Sequence, residues 1–266
     1  MSSIKVDPDE EYFTLGEVYS KDLYEGAYYK DSYLYTEKQQ YTRSFIEPNG
    51  TKTYGERSVQ RIVKVNIVTG NVSSVCIDPV CTHSMESGCP AIATEGLNTI
   101  YGVYGDWLLY GNFYSNIDLQ LMVPDLFLYN LNTGEFIQLI KRDTSGISIT
   151  DISGAVYFDN KLYFGKRTLD YSDTDYAVGK GDSLKNHEPI TKNYIYSFDF
   201  ETKKVNECFE IPADYDLFAA TNRRFFYYDQ SSGTSMHYDV YSSDLSCKNM
   251  TKESVLDFIP LEFCGT

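Results

Sequence analysis

At 266 residues the chain is long enough for one large all-β domain or two ordinary ones, and a formal charge of −15 makes it a poor partner for nucleic acid. Aromatic residues make up 15% of it and Tyr alone numbers 25, a composition that suits strands far better than helices. No apolar run reaches the roughly eighteen residues that a membrane-crossing helix needs.

The start of the chain, Met1 to Glu11, is polar and acidic, with neither the basic end nor the apolar centre of a secretory leader. That is the expectation for a cytoplasmic protein, or for one whose leader lies outside this sequence. Tyr12, Phe13 and Tyr19 give segment 1–25 enough apolar character for one stray strand. From Gly26 onward a two-part signal returns along the chain. Its first part is a turn pair ahead of an aromatic run: Lys30-Asp31, Gly105-Asp106, Asp159-Asn160 and Thr221-Asn222. Its second part is an Asn or Asp, an apolar residue and a short turn, anchored at Asn66, Asn130, Asp199 and Asp244.

Two hairpins per repeat make a four-stranded antiparallel blade, so the fold expected is an all-β propeller with four recognisable blades. The blades are placed at 26–76, 99–141, 152–210 and 217–251, within a repeat region 26–254. The third shows the logic best. Val156 and Phe158 alternate up to Asp159-Asn160, a pair that tolerates the positive φ of a type I′ turn, and Leu162 and Phe164 alternate away from it. Tyr194, Tyr196 and Phe198 then lead into the Asp199 turn, and Val205 resumes.

The first two anchor intervals exceed the roughly 40–50 residues of a blade repeat, so they carry insertions. These are read at Thr36–Gln60, Cys76–Asn98 and, in the third blade, Arg167–Lys192. No Pro- or Gly-rich linker separates the repeats, which favours one domain. Residues 255–266 read as the opening of a further strand or blade, and on that ground the propeller is expected to be incomplete. Four blades sealed by a terminal strand are the other reading.

Cys76, Cys81, His83 and Cys89 fall in one insertion and form the only motif here with chemistry in it. Three thiols and an imidazole are the donor set of a Cys₃His zinc site, and four protein donors would close the shell of a structural ion. Cys81 and His83, two apart on an extended stretch, project to one side, and Asp78-Pro79 and Gly88 supply the turns. The spacing matches no common zinc pattern. A disulfide between two of the three cysteines, bracing a surface loop, accounts for the residues equally well.

The segment Cys76-Ile77-Asp78-Pro79-Val80-Cys81-Thr82-His83, closing with Cys89-Pro90 and following a Thr-Gly hairpin, resembles uncharacterised β-propeller proteins of anaerobic gut bacteria. The likeness runs from about Gly26 to Met250. It implies a propeller fold and a cell-surface location, and no assigned reaction.

Other constellations point less far. Asp170–Asp175 lacks the Gly and Glu of an EF-hand loop and reads as a solvated acidic stretch. There is no Gly-x-Ser-x-Gly, and His83, His187 and His237 sit in unrelated contexts. Most tyrosines fall on strands and are assigned to packing between sheets; Tyr114 and Tyr171, in loops on this reading, are candidates for stacking on a sugar or peptide. The leading functional reading is therefore a non-catalytic binding or scaffold module, with a carbohydrate or protein ligand. The runner-up is a propeller-type hydrolase or lyase, or the propeller domain of a peptidase resembling prolyl oligopeptidase.

Overall fold

The computed structural model describes residues 12–14, 26–46, 52–83, 88–93, 97–116, 121–141, 148–170, 190–234 and 237–256. All of its regular structure is β, and no helix occurs among the described residues. The chain forms two compact units where the sequence suggested one. The first is built on Tyr19–Ser115 and Asp125–Ile140; the second on Lys141–Thr266, with Met1–Val18 and Asn116–Pro124.

In the first unit, β2 (Gly26–Tyr29), β3 (Ser32–Ile46), β4 (Lys52–Asn66) and β5 (Val72–Ser74) form one antiparallel sheet in chain order, with β6 (Ile92–Ala93) added to β4. Strands β7 (Leu97–Tyr104), β8 (Trp107–Asn116), β9 (Leu121–Asn130) and β10 (Phe136–Ile140) form the next. The second unit repeats the plan with β11 (Ser148–Phe158), β12 (Lys161–Asp170), β13 (Ile190–Asp199) and β14 (Lys204–Ile211). Its other sheet holds β15 (Tyr215–Thr221), β16 (Arg224–Thr234), β17 (His237–Asp244) and β18 (Thr251–Leu256), and β1 (Tyr12–Thr14) pairs along β15. Each is the up-and-down meander of a propeller blade.

Three expectations change in detail. Thr36–Gln60 is no loop insertion: β3 and β4 pair without a break from Ser32↔Asn66 to Ile46↔Lys52, so the added residues lengthen one hairpin. Val255 and Leu256 open no new element; they finish β18 opposite Asp239 and Tyr238, and residues 257–266 lie outside the described residues. The hairpin loop at Thr221 shifts by one residue to Asn222-Arg223. There the Thr221 hydroxyl accepts the N–H groups of Arg223 (3.2 Å) and Arg224 (3.0 Å).

The two halves of the repeat signal turn out to be hydrogen-bonded to each other. Asn66 Oδ1 accepts from Val68 N and Thr69 N, and the Gly70 N–H returns to the Asn66 carbonyl at 2.8 Å. Asn130 and Asp199 do the same, with Gly134 and Lys203 in the left-handed position at φ 73° and 57°. The residue after each anchor then donates to the earlier hairpin: Ile67 N–H to Asp31 O, Leu131 N–H to Asp106 O, Phe200 N–H to Asn160 O. Backbone donors that no ladder satisfies are thereby paired at the shared end of both hairpins.

Each unit has its own core. In the first, Leu34, Ile62, Leu108 and Tyr110 are buried with Phe127 and Tyr129; in the second, Val156, Ile195, Phe225, Tyr227 and Leu217. Fully burying one such side chain contributes about 1.5–3 kcal/mol. Tyr104, Tyr110 and Tyr227 pack as expected of strand tyrosines, whereas Tyr28 is exposed. The second unit also holds a buried polar cluster. Arg167 pairs with Asp216, whose other oxygen accepts from Tyr228 Oη at 2.9 Å, and Asn193 donates to the Tyr215 carbonyl at 2.6 Å. Both oxygens of Asp216 are thus occupied, which suits a structural tie.

Candidate metal centre

The chain leaving β5 is fixed residue by residue. Val75 N–H bonds to Ile62 O and Cys76 N–H to Ser74 Oγ, which carries Cys76 into the buried side of the first unit. Ile77 N–H donates to Tyr129 Oη at 3.0 Å, tying the segment to β9. Asp78 makes the turn: its Oδ1 accepts from Val80 N–H and its carbonyl from Cys81 N–H. Beyond it, Gly88 at φ 62° brings the chain back to Cys89, whose carbonyl accepts from Ile92 N–H. Two bonds then anchor the return: Ile62 N–H to Ala91 O at 2.7 Å, and Tyr110 Oη to Pro90 O at 2.5 Å.

This path gathers the four residues singled out in the sequence. The sulfur atoms of Cys76, Cys81 and Cys89 and a ring nitrogen of His83 all lie within 4.8 Å of one another. Among the described residues no other such group of three or more His, Cys, Asp or Glu side chains occurs. Cys76 and Cys89 are buried, Cys81 and His83 half-buried. Cys89 Sγ stands 3.6 Å from His83 Nδ1, and the His83 backbone N–H donates to Cys81 Sγ at 3.4 Å. All three thiols are free, so no disulfide joins any pair of them.

Two further features fit a metal. His83 sits at φ 50°, a left-handed conformation that a non-glycine residue adopts at an energetic penalty and that tends to mark functional positions. An N–H directed at sulfur stabilises a thiolate. In the free thiol state, burial pushes the Cys89 group well above the ordinary thiol range, reinforced by the neighbouring Cys81 and Cys76. A cation at the centre of the group would reverse that preference, since metal ligation deprotonates a thiol outright. Sulfur and imidazole donors in fourfold array can therefore hold a thiophilic divalent ion.

Sequence reasoning did not assign Tyr129 or Tyr110 to the site, although their hydroxyls hold both arms of the loop. Burial holds the Tyr129 hydroxyl above its usual range, despite the Ile77 N–H that opposes this. Their only mark in the sequence is position: Tyr129 directly precedes the Asn130 anchor, and Tyr110 closes the aromatic run after Gly105-Asp106. His187, Tyr171 and most of the acidic stretch after Asp170 lie outside the described residues, as do the side chains of His237 and Tyr114.

No protein-family model matches the chain, and no curated protein sequence does. Among solved structures it is similar to an oligogalacturonate lyase in complex with manganese, at 11% identity and TM-score 0.42, over 73% of this chain and 42% of that one. It is similar also to an acylaminoacyl peptidase of Pyrococcus horikoshii, at 13% identity and TM-score 0.45, over 86% and 32%. A third is an α-L-arabinanase of Penicillium chrysogenum complexed with arabinobiose, at 12% identity and TM-score 0.34, over 92% and 72%. The chain thus spans about two fifths of the lyase and about a third of the peptidase.

Proposed function

We propose that this chain is a binding or scaffold module of propeller blades in which Cys76, Cys81, His83 and Cys89 hold one structural zinc ion. The observation that carries the reading is the convergence of those four donor atoms within 4.8 Å. Zinc is the ion favoured because thiolate and imidazole donors in a four-coordinate shell suit its softness and its tetrahedral habit. His83 would ligate through Nδ1, the nitrogen nearest Cys89 Sγ. Four protein donors leave no open coordination position, so the ion fixes the β5–β6 connection and performs no chemistry.

On this reading the loop is the functional surface, and the blades are its support. The ligand class is a protein or a carbohydrate, and a bacterial cell-surface location belongs to the same reading. Elemental analysis of protein purified from zinc-containing medium tests it. One zinc per chain is expected, lost in Cys81→Ser and in His83→Ala. Zinc-free protein carrying a disulfide within Cys76–Cys89 would overturn it. The competing enzyme reading is tested by incubation with oligogalacturonate, arabinan and acylated peptides. No turnover is expected, and product above the blank would establish catalysis instead.

A further inference from the structure

A cleft of about 550 Å³ opens beside the cysteine loop, between Ile77, Asp78 and Pro79 on one side and Thr133, Gly134 and Phe136 on the other. Cys76, Cys81 and Cys89 form part of its wall, so three of the four metal ligands line it. Its volume falls within the range of small-molecule sites, roughly 300–1,000 Å³. We infer that this cleft binds a monocation carried on an apolar body, an ammonium or guanidinium group on a hydrocarbon stem. The inference rests on the zinc reading above and adds to it a ligand class and a place.

Three observations lead to that chemistry. The first is aromatic and apolar surface presented to solvent. Phe136 is 46% exposed and Ile77 39%, so both offer apolar surface to a ligand in the cleft. Phe136 is also braced, its ring stacked on Phe127 at 5.1 Å between centroids. A fixed ring face of this kind attracts a cation held within about 6 Å of it.

The second is charge. Three thiolates and a neutral imidazole around a divalent ion leave one net negative charge at the wall of the cleft. Asp78 adds a carboxylate at the mouth, oriented by the Val80 N–H that bonds its Oδ1. No Lys or Arg occurs among the residues lining the cleft to offset either charge. The third is construction. The left-handed Gly134 allows the β9–β10 turn to approach Ile77 so closely that a Cβ there would stand 3.2 Å from Ile77 Cγ1. The Ile77 N–H bond to Tyr129 Oη holds the same contact from beneath. Both walls are therefore set before any ligand arrives, which lowers the entropy lost on binding.

The test uses the full chain with zinc content measured on every sample. Phenethylamine is titrated against ¹⁵N-labelled protein and followed by amide chemical shifts, with 3-phenylpropionate and methyl β-glucopyranoside as anionic and neutral controls. Saturable shifts centred on residues 77–81 and 133–136 are expected with the amine, and at least about tenfold weaker binding with either control. Asp78→Asn, which keeps the turn's acceptor oxygen, should weaken the amine about fivefold, and Phe136→Leu by a similar factor. An acetylated Lys tripeptide amide separates the sources. Shifts of the same amides assign the cation to a polypeptide side chain, and their absence beside phenethylamine binding assigns it to a free amine. Equal binding of the anion or the sugar, or an Asp78→Asn variant that binds as wild type, would overturn the inference. Zinc-loaded protein that ignores the amine would sink this inference alone, and zinc-free protein would sink the reading beneath it.

Discussion

Gly154 offers the sharpest test of how the second unit is packed. It lies in β11 where the pairing with β12 slips between Ile152 and Ala155, and its φ is +93°. A Cβ added there would stand 2.8 Å from the Leu217 carbonyl carbon and overlap the carbonyl oxygen outright. Leu217 is itself at a slip in β15, so the obstacle is backbone held in a ladder and cannot swing aside as a side chain would. Carbon atoms in contact keep about 3.5–4.0 Å, so the strands must part by well over half an ångström. Overpacking of this kind costs about 1–3 kcal/mol, and a β-carbon at positive φ about 1–2 kcal/mol more. Gly154→Ala is therefore expected to lose about 4 kcal/mol, a large share of the roughly 5–15 kcal/mol of a domain. Gly105→Ala is the matched control, with φ 61° and no heavy atom near the added carbon within 4 Å, and should lose about 1 kcal/mol. With a urea slope of about 2 kcal/mol per molar, the unfolding midpoints fall by about 2 M and about 0.5 M. Equal shifts for the two variants would refute the steric argument.

Two other outcomes follow from the turns and the loop. Asp199 is held below the ordinary carboxyl value of 3.8 chiefly by the Thr202 N–H, and Asp244 chiefly by the Ser246 hydroxyl. A depressed folded value means these contributions are complete above 3.8 and drain away as the pH falls through the lower folded values. Asp199→Asn with Asp244→Asn, the residue type already used at positions 66 and 130, should flatten the acid limb of a melting profile taken from about pH 6 to about pH 2.5; an unchanged limb would count against it. Tyr129→Phe removes the acceptor for Ile77 N–H while all four zinc ligands stay in the chain. It should speed hydrogen exchange at Ile77 by about fivefold to tenfold, for a bond worth about 1 kcal/mol, with zinc stoichiometry unchanged.

The parts of this fold that could be read in advance are those whose information is local. An Asn or Asp anchor, a turn residue tolerant of positive φ and an alternating aromatic run each act within a few residues, and Asn66, Asn130 and Asp199 built the turns expected of them. The fourth differs. At Asp244 the left-handed residue is Cys247, one place earlier than its counterparts, and the Cys247 N–H to Asp244 O bond of 2.9 Å closes a turn one residue tighter. The reason is distant in sequence: Cys247 Sγ packs 2.8 Å from the buried Tyr227 hydroxyl and 3.1 Å from Ser243 Oγ. The metal ligands were likewise visible as residue types within one segment, while the hydroxyls of Tyr110 and Tyr129 that set their geometry act across strands. The Arg167–Asp216–Tyr228 cluster joins three strands and left no pattern along the chain.

In three of the four sheets, the bond from the anchor turn to the neighbouring hairpin makes the two ends unlike. At one end the lengths are fixed, because Ile67, Leu131 and Phe200 must each reach a carbonyl across the sheet. At the other, the gap between the two central strands runs from Thr234 and His237 in one blade to Asp170 and Ile190 in another. A sheet so made can be lengthened or given new sequence at its free end without disturbing its register. The same scaffold would accept grafted segments between Ile46 and Lys52 or between Asp170 and Ile190, and would reject them beside Asn66 or Asn130. The repeat motif thereby acts as a rule for where this protein can change.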